Sequence, residues 1–315
     1  MPAISSTFPG KIILFGEHAV VYGSHAIAIP VNQVSSKVVI TPLINSVPGI
    51  VEVTAADIHL HAQLDSLPEQ DPIAFCIRSA LQKLGVQKCP AFSIRINSTI
   101  PIAAGMGSGA SISCAIAQAV STFLGKPFTN SEISSIAFEV EKLHHGNPSG
   151  IDNTVIAFKQ AVYYKREEEP ELLKIGARLV FIIADSGIKS LTSDVVNAVR
   201  DSWKLDQAHY NSIFSAIDTL VQEAFTEIKT GNRENIGALM NKNHLLLQEM
   251  GVSHPLLDEL VTTARINGAY GAKLSGAGRG GNIIALIPPE TFDPMRDALL
   301  NAGATRVILT TLDQV

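Results

Sequence analysis

Pro101-Ile-Ala-Ala-Gly-Met-Gly-Ser-Gly-Ala-Ser111 decides how the rest of the chain is read. Before it, Ala91–Ile96 carries the β-branched alternation that predicts a strand; after it, Ala110–Leu124 is a small-residue apolar run that predicts a helix stopped by Gly125 and Pro127. Glycines let a backbone approach a ligand closely and turn its N–H groups inward, and the following helix adds the positive end of its dipole. Such a turn can cradle a di- or triphosphate. Gly105, Gly107 and Ala110 also satisfy the dinucleotide pattern G-x-G-x-x-G/A, whose context is a βαβ unit with an acidic residue on the second strand. Here the helix leads to another helix, about Glu132–Leu143, so a Rossmann dehydrogenase fails on topology. A second match at Gly276, Gly278 and Gly281 shows how common the pattern is. Neither a Walker A sequence nor a G-x-S-x-G nucleophile elbow occurs.

Working outward, Lys11–Phe15, Ser36–Ile40 and Val51–Val53 also read as strands, and Pro72–Leu84 as a helix ending at Gly85. The charged stretch Lys165–Lys174 reads as an exposed loop leading to an apolar strand, Leu179–Ala184. A domain boundary placed there gives residues 1–175 and 176–315. The second half predicts long helices over 191–203, 206–229, 233–249 and 254–267. A second Gly-rich turn, Gly271–Gly281, follows, then a strand at 282–287, a helix near 291–301 and a last strand near 304–311.

The 315 residues are 46% hydrophobic and 17% charged, with a net charge of −5, which describes a folded globular chain with no general attraction to nucleic acid or anionic membrane. No stretch approaches the ~20 apolar residues that span a bilayer. Cys76, Cys89 and Cys114 have no C-x-x-C spacing, so a reducing, cytoplasmic setting is expected rather than a disulfide scaffold.

Four segments carry a resemblance. Pro9-Gly-Lys-Ile-Ile-Leu-Phe-Gly-Glu-His-Ala-Val-Val-Tyr-Gly23, the loop 101–111 and Ala272-Lys-Leu-Ser-Gly-Ala-Gly-Arg-Gly-Gly281 are similar, in order, to the three motifs of the GHMP kinase superfamily. Glu141-Lys-Leu-His-His-Gly-Asn-Pro-Ser-Gly-Ile-Asp-Asn153 resembles the catalytic segment of its mevalonate kinase branch, as does Gly16–Gly23. The resemblance implies an α+β fold with a ribosomal-S5-like N-terminal α/β domain and a ferredoxin-like C-terminal domain. It implies ATP as co-substrate, Mg²⁺ as cofactor, mevalonate as acceptor with 5-phosphomevalonate as product, a place in isoprenoid precursor synthesis, and a homodimer.

Residue by residue, the resemblance implies that Asp152 accepts or orients the proton of the acceptor hydroxyl and that Lys11 polarises that hydroxyl. Gly105, Met106, Gly107, Ser108, Gly109, Ala110 and Ser111 would hold the nucleotide phosphates with Gly276 and Gly278. Glu141 matches the magnesium-binding glutamate; Glu139, two residues away on the same helix, points elsewhere. The family's loop often reads Gly-Ser-Ser-Ala with the second serine on the metal, whereas this chain has Gly109 there, so Ser108, Ser111 or a water takes that place. Arg279 is a second departure, facing either a phosphate or solvent. Glu17, His18 and Thr192 match acceptor-binding positions, although by residue type alone Glu17 and His18 read as exposed polar surface and Lys11 as a surface lysine. Asp152 is expected just past the turn Gly146–Gly150, which can hold its carboxylate rigidly near the phosphate loop, with His144 and His145 as turn residues nearby. His59 and His61 are expected to alternate on one strand as a solvated face. Competing functions are phosphomevalonate, homoserine or sugar phosphorylation on the same fold, and a catalytically silent binding protein. The silent reading predicts loss of Lys11, Glu141 or Asp152, and all three are present.

Overall fold

The computed structural model describes residues 2–101, 105–145 and 148–314, with the backbone alone of His144 and His145. Ile102, Ala103 and Ala104 of the first Gly-rich turn, and Gly146 and Asn147 of the turn before Asp152, lie outside the described residues. The chain divides into two compact units, Met1–Gly10 with Val34–Pro101 and Gly107–Lys159, and Lys11–Gln33 with Ile102–Met106 and Gln160–Val315. Two long strands, β1 (Ile4–Phe15) and β2 (Ala26–Pro42), contribute residues to both.

In the first unit β3 (Val51–Ala55), β4 (Leu60–Gln63) and β5 (Phe92–Ser98) join the end of β2 in the order β4-β3-β5-β2. β3 and β5 run parallel, with Val53 opposite Ile94, whereas β2 and β5 are antiparallel, with Val38 opposite Ile96. Side chains alternate across a sheet, so Val38, Ile40, Val53, Ile94 and Ile96 are buried while Lys37 and Arg95 are exposed on the other face. Helices α1 (Pro72–Lys83), α2 (Ser108–Phe123), α3 (Asn130–His145) and α4 (Ile151–Phe158) complete the unit. α1 begins where the sequence says it should: the Asp71 carboxylate accepts the Ala74 N–H at 2.9 Å, and Pro72 fills the first turn. α2 packs on α1, α3 and α4, and its alanines and serines allow that crowding. Its buried Ser121 hydroxyl is satisfied by donating to the Gln118 carbonyl at 3.1 Å.

In the second unit β6 (Val162–Tyr164) pairs with the start of β2 at Ala26–Ala28, and β7 (Glu171–Leu172) pairs with β6. A separate antiparallel sheet has the order β11-β8-β10-β9, from β8 (Leu179–Asp185), β9 (Gly271–Ser275), β10 (Asn282–Leu286) and β11 (Arg306–Leu312). Every residue of β9 and β10 is buried. The helices are α5 (Thr192–Leu205), α6 (Gln207–Thr230), α7 (Arg233–Glu249), α8 (Pro255–Ile266) and α9 (Phe292–Asn301).

β9 is an edge strand, and an edge leaves backbone donors unpaired. α7 supplies the missing partners from one face, at positions 241 and 244. Asn241 Oδ1 accepts the Ala272 N–H at 3.0 Å, and His244 Nδ1 accepts the Leu274 N–H at 3.3 Å. Gly237 lets the helix come this close: a Cβ there would lie 2.3 Å from the Tyr270 carbonyl, and one on Gly271 would lie 1.9 Å from the Gly237 oxygen. Because His244 Nδ1 is an acceptor, Nε2 carries the proton and donates to Asp258 Oδ1 at 3.1 Å. Burial, then the charge of Arg265, lowers the His244 pKa to about 4.

Several expectations change. Asp152 follows Gly150 as expected but on a helix the sequence did not announce, α4, and His144 and His145 close α3 rather than lying in a turn. The expected turn Gly271–Gly281 is a strand through Ser275. β2 begins ten residues before the expected Ser36. His59 takes φ 54 after a short 3-10 turn, so it does not share a strand with His61, whose Nδ1 lies 3.1 Å from Thr54 Oγ1. Among the described residues no helix is long and apolar enough to cross a membrane.

Candidate active site

The phosphate-type turn in the first unit is the start of α2. Gly107 is its N-cap with φ 70, a left-handed conformation that glycine adopts without penalty, and it offers no side chain to the first-turn N–H groups. Those of Ser108, Gly109 and Ala110 are the donors an anion would meet at a helix start. Ser108 is half-buried and Gly109 exposed; a Cβ on Gly109 would meet nothing within 4 Å. Ser111 is fully buried and its hydroxyl donates to the Phe8 carbonyl at 2.9 Å, seating α2 on β1.

Asp152 is the second residue of α4, after Gly150 at φ 86. α4 is anchored at both ends. Asn153 Nδ2 donates to Ser134 Oγ on α3 at 2.8 Å. Lys159, itself at φ 54, donates from Nζ to the Thr7 carbonyl at 2.9 Å and lies 4.0 Å over the Phe8 ring. β1 at Thr7 and Phe8 thus fixes both α2 and α4. Glu141 is half-buried on α3, whereas Glu139 is exposed in a 2.8 Å ion pair with Lys142, which separates the two glutamates as their spacing predicted. The Glu141 charge reaches inward to Cys114 on α2, a fully buried thiol held well above its ordinary pKa by burial, then by the neighbouring Cys76 and Glu141.

The second unit brings the first and third motifs together. Ser275 Oγ donates to the Ile13 carbonyl at 2.6 Å, Lys273 Nζ makes an ion pair with Glu17 Oε1, and His18 Nε2 lies 2.8 Å from the Ala277 carbonyl. Glu17 and Lys273 are 0% exposed and Lys11 is 4% exposed, so their residue types misled: none is a surface residue. Burial drives the Glu17 carboxyl above the usual carboxylate range, against the pull of Lys273 and then Lys11. Burial likewise lowers the Lys273 ammonium. Burial lowers His18 too, and the Arg279 charge adds to this. A neutral imidazole facing a carbonyl must present Nε2–H to it, which leaves Nδ1 as an acceptor.

Gly16 supports this packing, because a Cβ there would lie 2.5 Å from the His25 carbonyl oxygen. Met106 is buried, and its carbonyl accepts the Lys11 N–H at 3.0 Å. Gly276 and Gly278 have φ 92 and 82, and Arg279 keeps φ 54 between them and Gly280. The Arg279 side chain is exposed, with Nε donating to the Gly251 carbonyl at 3.3 Å. Ser190 Oγ donates to the Gly278 carbonyl at 2.8 Å, tying 186–190 to the turn. Thr192 opens α5 and is exposed; among the described contacts none joins it to Glu17 or His18. Sequence reasoning missed Lys273 and Ser275. Their signal was period-2 spacing in Gly271-Ala-Lys-Leu-Ser275, a strand pattern masked by the glycines around it.

The GHMP kinases N terminal domain matches residues 72–160, and the GHMP kinases C terminal domain matches 221–305. The mevalonate kinase of Pyrococcus abyssi is 34% identical over 97% of this chain and 94% of its own. That of Thermococcus gammatolerans is 32% identical over 97% and 95%. Among solved structures, the Methanococcus jannaschii mevalonate kinase aligns with TM-score 0.84 at 29% identity, covering 100% of this chain and 98% of its own. The L. major mevalonate kinase in complex with R-mevalonate aligns at 0.81 and 27%, covering 99% and 96%. A Lactococcus lactis galactokinase and a Streptococcus pneumoniae phosphomevalonate kinase, at 17% and 16% identity, share the fold.

Proposed function

Because the chain belongs to the GHMP kinases, and among them to the mevalonate kinases, we infer that it transfers the γ-phosphoryl group of ATP to the primary hydroxyl of mevalonate. The observation that carries this reading is a likeness to mevalonate kinases that runs through nearly the whole chain. The new bond joins the hydroxyl oxygen to phosphorus as the bond to the β–γ bridging oxygen breaks, so that 5-phosphomevalonate and ADP result. Catalysis of this kind is positioning and charge stabilisation.

In this reading the first-turn N–H groups of α2 at Ser108–Ala110 hold phosphate oxygens, with Gly105–Gly107 shaping the approach. Asp152 accepts the hydroxyl proton; its support is a carboxylate at the start of a helix that Asn153 and Lys159 hold at both ends. Lys11 polarises the hydroxyl, and its burial at 4% exposure supports a role inside the protein. Glu17 and His18 bind the acceptor, with His18 Nδ1 free to accept from a hydroxyl. Thr192 contributes its exposed hydroxyl from α5.

The residues present fit Mg²⁺. Glu141 and Ser108 are oxygen donors, and magnesium binds through one or two carboxylates plus substrate phosphates. Among the described residues no group of three or more His, Cys, Asp or Glu could hold a metal unaided, which suits an ion that arrives with the nucleotide. When bound, it neutralises charge on the phosphates. The open space at Gly109 accommodates a water where relatives of this family often place a serine.

The test is ADP release with Mg-ATP, offered mevalonate, 5-phosphomevalonate, homoserine and galactose separately. Turnover with mevalonate alone is expected. Turnover with another acceptor only would keep the ATP site and overturn the acceptor roles of Glu17, His18 and Thr192. Nucleotide binding without turnover on any acceptor would favour the silent binding protein.

A further inference from the structure

We propose that Lys273 is a positioning residue for the reaction: it anchors Glu17 through one carboxylate oxygen so that the other, Oε2, is presented to a hydroxyl of the bound acceptor. The proposal rests on the acceptor-binding role inferred for Glu17 and assigns a role to a residue outside that set. Both side chains are completely buried, and Lys273 Nζ engages Oε1. Oε2 is buried without a hydrogen-bond partner, the one carboxylate oxygen so placed among the described residues. Buried polar atoms are almost always satisfied, and an ionised oxygen is the costliest to leave without a donor. A carboxylate would repel the acceptor's own carboxylate, so the group it takes is a hydroxyl.

The surroundings define why a lysine is needed. Lys11 on β1 and Lys273 on β9 are the cations acting on Glu17, with His18 beside it. Behind Lys273, His244 on α7 feels its charge. Burial alone favours a protonated carboxyl, and a protonated Glu17 cannot accept a hydroxyl's hydrogen at both oxygens. Lys273 also fixes where Glu17 points. The residues before and after it are held from α7, Ala272 by Asn241 and Leu274 by His244, and Ser275 on the same strand holds Ile13 next to the Glu17 turn. A rigid lysine on a clamped strand sets the carboxylate plane, whereas Lys11 contributes charge.

The experiment compares wild type, Lys273→Met, Lys273→Arg, Glu17→Gln and the double variant Glu17→Gln/Lys273→Met, each assayed with whichever acceptor the wild type phosphorylates. A wild type silent toward mevalonate therefore speaks to the proposed function and leaves this test intact. The expected result is a KM for the acceptor raised about 10- to 100-fold in Lys273→Met and Glu17→Gln alike, the scale of a hydrogen bond to a charged group. The double variant should be no worse than either single one, and Lys273→Arg should recover most of the loss. In Lys273→Met, kcat/KM for the acceptor should rise with pH where the wild type is flat, because burial favours the protonated Glu17 carboxyl and Lys273 no longer opposes it. The double variant, with nothing to ionise, should lack that rise. If Lys273→Met does not fold, Lys273→Arg and the double variant, which removes both charges together, still decide. A melting temperature lowered by Lys273→Met with acceptor KM within twofold of wild type and no change in the pH profile would overturn the proposal. Additive effects of the two single variants would do the same.

Discussion

Gly237→Ala should destabilise the second unit although alanine is the better helix former. Two effects oppose each other. Replacing a mid-helix glycine gains about 1 kcal/mol of propensity. Against this, the new Cβ would stand 2.3 Å from the Tyr270 carbonyl, about 1 Å inside ordinary van der Waals contact, and the obstacle is backbone that cannot rotate away. Overpacking of this kind costs about 1–3 kcal/mol. Moving α7 out by about 1 Å also stretches the Asn241–Ala272 and His244–Leu274 bonds, now 3.0 and 3.3 Å, beyond hydrogen-bond range. Two edge-strand donors then lose partners in a buried strand, at about 1 kcal/mol or more each. The net loss is about 3 kcal/mol, or roughly 6–12 °C in Tm for a cooperative unit of about 150–250 residues. Thermal and urea denaturation measure it. Gly109→Ala is the control: it is also helical but meets nothing within 4 Å, and it should gain about 0.4–1 kcal/mol. A Gly237→Ala protein as stable as wild type would refute the claim that backbone contact, rather than side-chain packing, seats α7 on β9.

Asp152→Asn should leave ATP binding nearly unchanged while cutting turnover by a factor of ~10² or more, the scale of proton-transfer catalysis; near-wild-type turnover in steady-state assays would remove Asp152 from the mechanism. Glu141→Gln should raise the Mg²⁺ concentration needed for half-maximal activity, and calorimetry with Mg²⁺ alone should show no binding to the wild type in the absence of nucleotide. Tight binding of the bare ion would mean that a protein site exists without phosphates. His244, with a native pKa of about 4 against about 6.5 for the ordinary imidazole, binds its proton less readily folded than unfolded. Its contribution is therefore complete above pH ~6.5 and is lost as pH falls toward about 4, by up to roughly 3 kcal/mol. His244→Gln should remove that share of the acid slope; parallel stability curves for the two proteins across the window would count against it.

Helices with a clean apolar period, such as α1 and α8, and the apolar run Leu179–Ala184 of β8 were legible because local spacing decides them. α4 was not: Pro148 and Gly150 dominate the reading, yet Gly150 at φ 86 is the helix's own N-cap. β9 was hidden for a related reason, since glycines at 271, 276 and 278 announce a turn while the first serves the approach of α7. The start of β2 contains Pro30, which counts against a strand in any local reading. Among the candidate residues, a family resemblance singled out Lys11, Glu17, His18, Glu141 and Asp152, whereas residue chemistry assigned the first three to the surface. Their burial depends on partners far away along the chain: Lys273 answers Glu17 and Ala277 answers His18 across more than two hundred residues. No window of sequence contains both halves of such a pair.

The sealed thiol of Cys114 has a kinetic consequence. It sits fully buried on the inner side of α2, the helix whose first turn is the proposed phosphate cradle, and burial keeps it protonated and unreactive. A thiol reagent can reach it only during a transient opening of that region, so its modification rate, relative to a free thiol, is a stopwatch on how often the helix lets go. A nucleotide that binds only the closed form slows that clock by the factor 1 + [L]/Kd. Nucleotide affinity thereby becomes readable from the fading reactivity of one native cysteine, with no turnover.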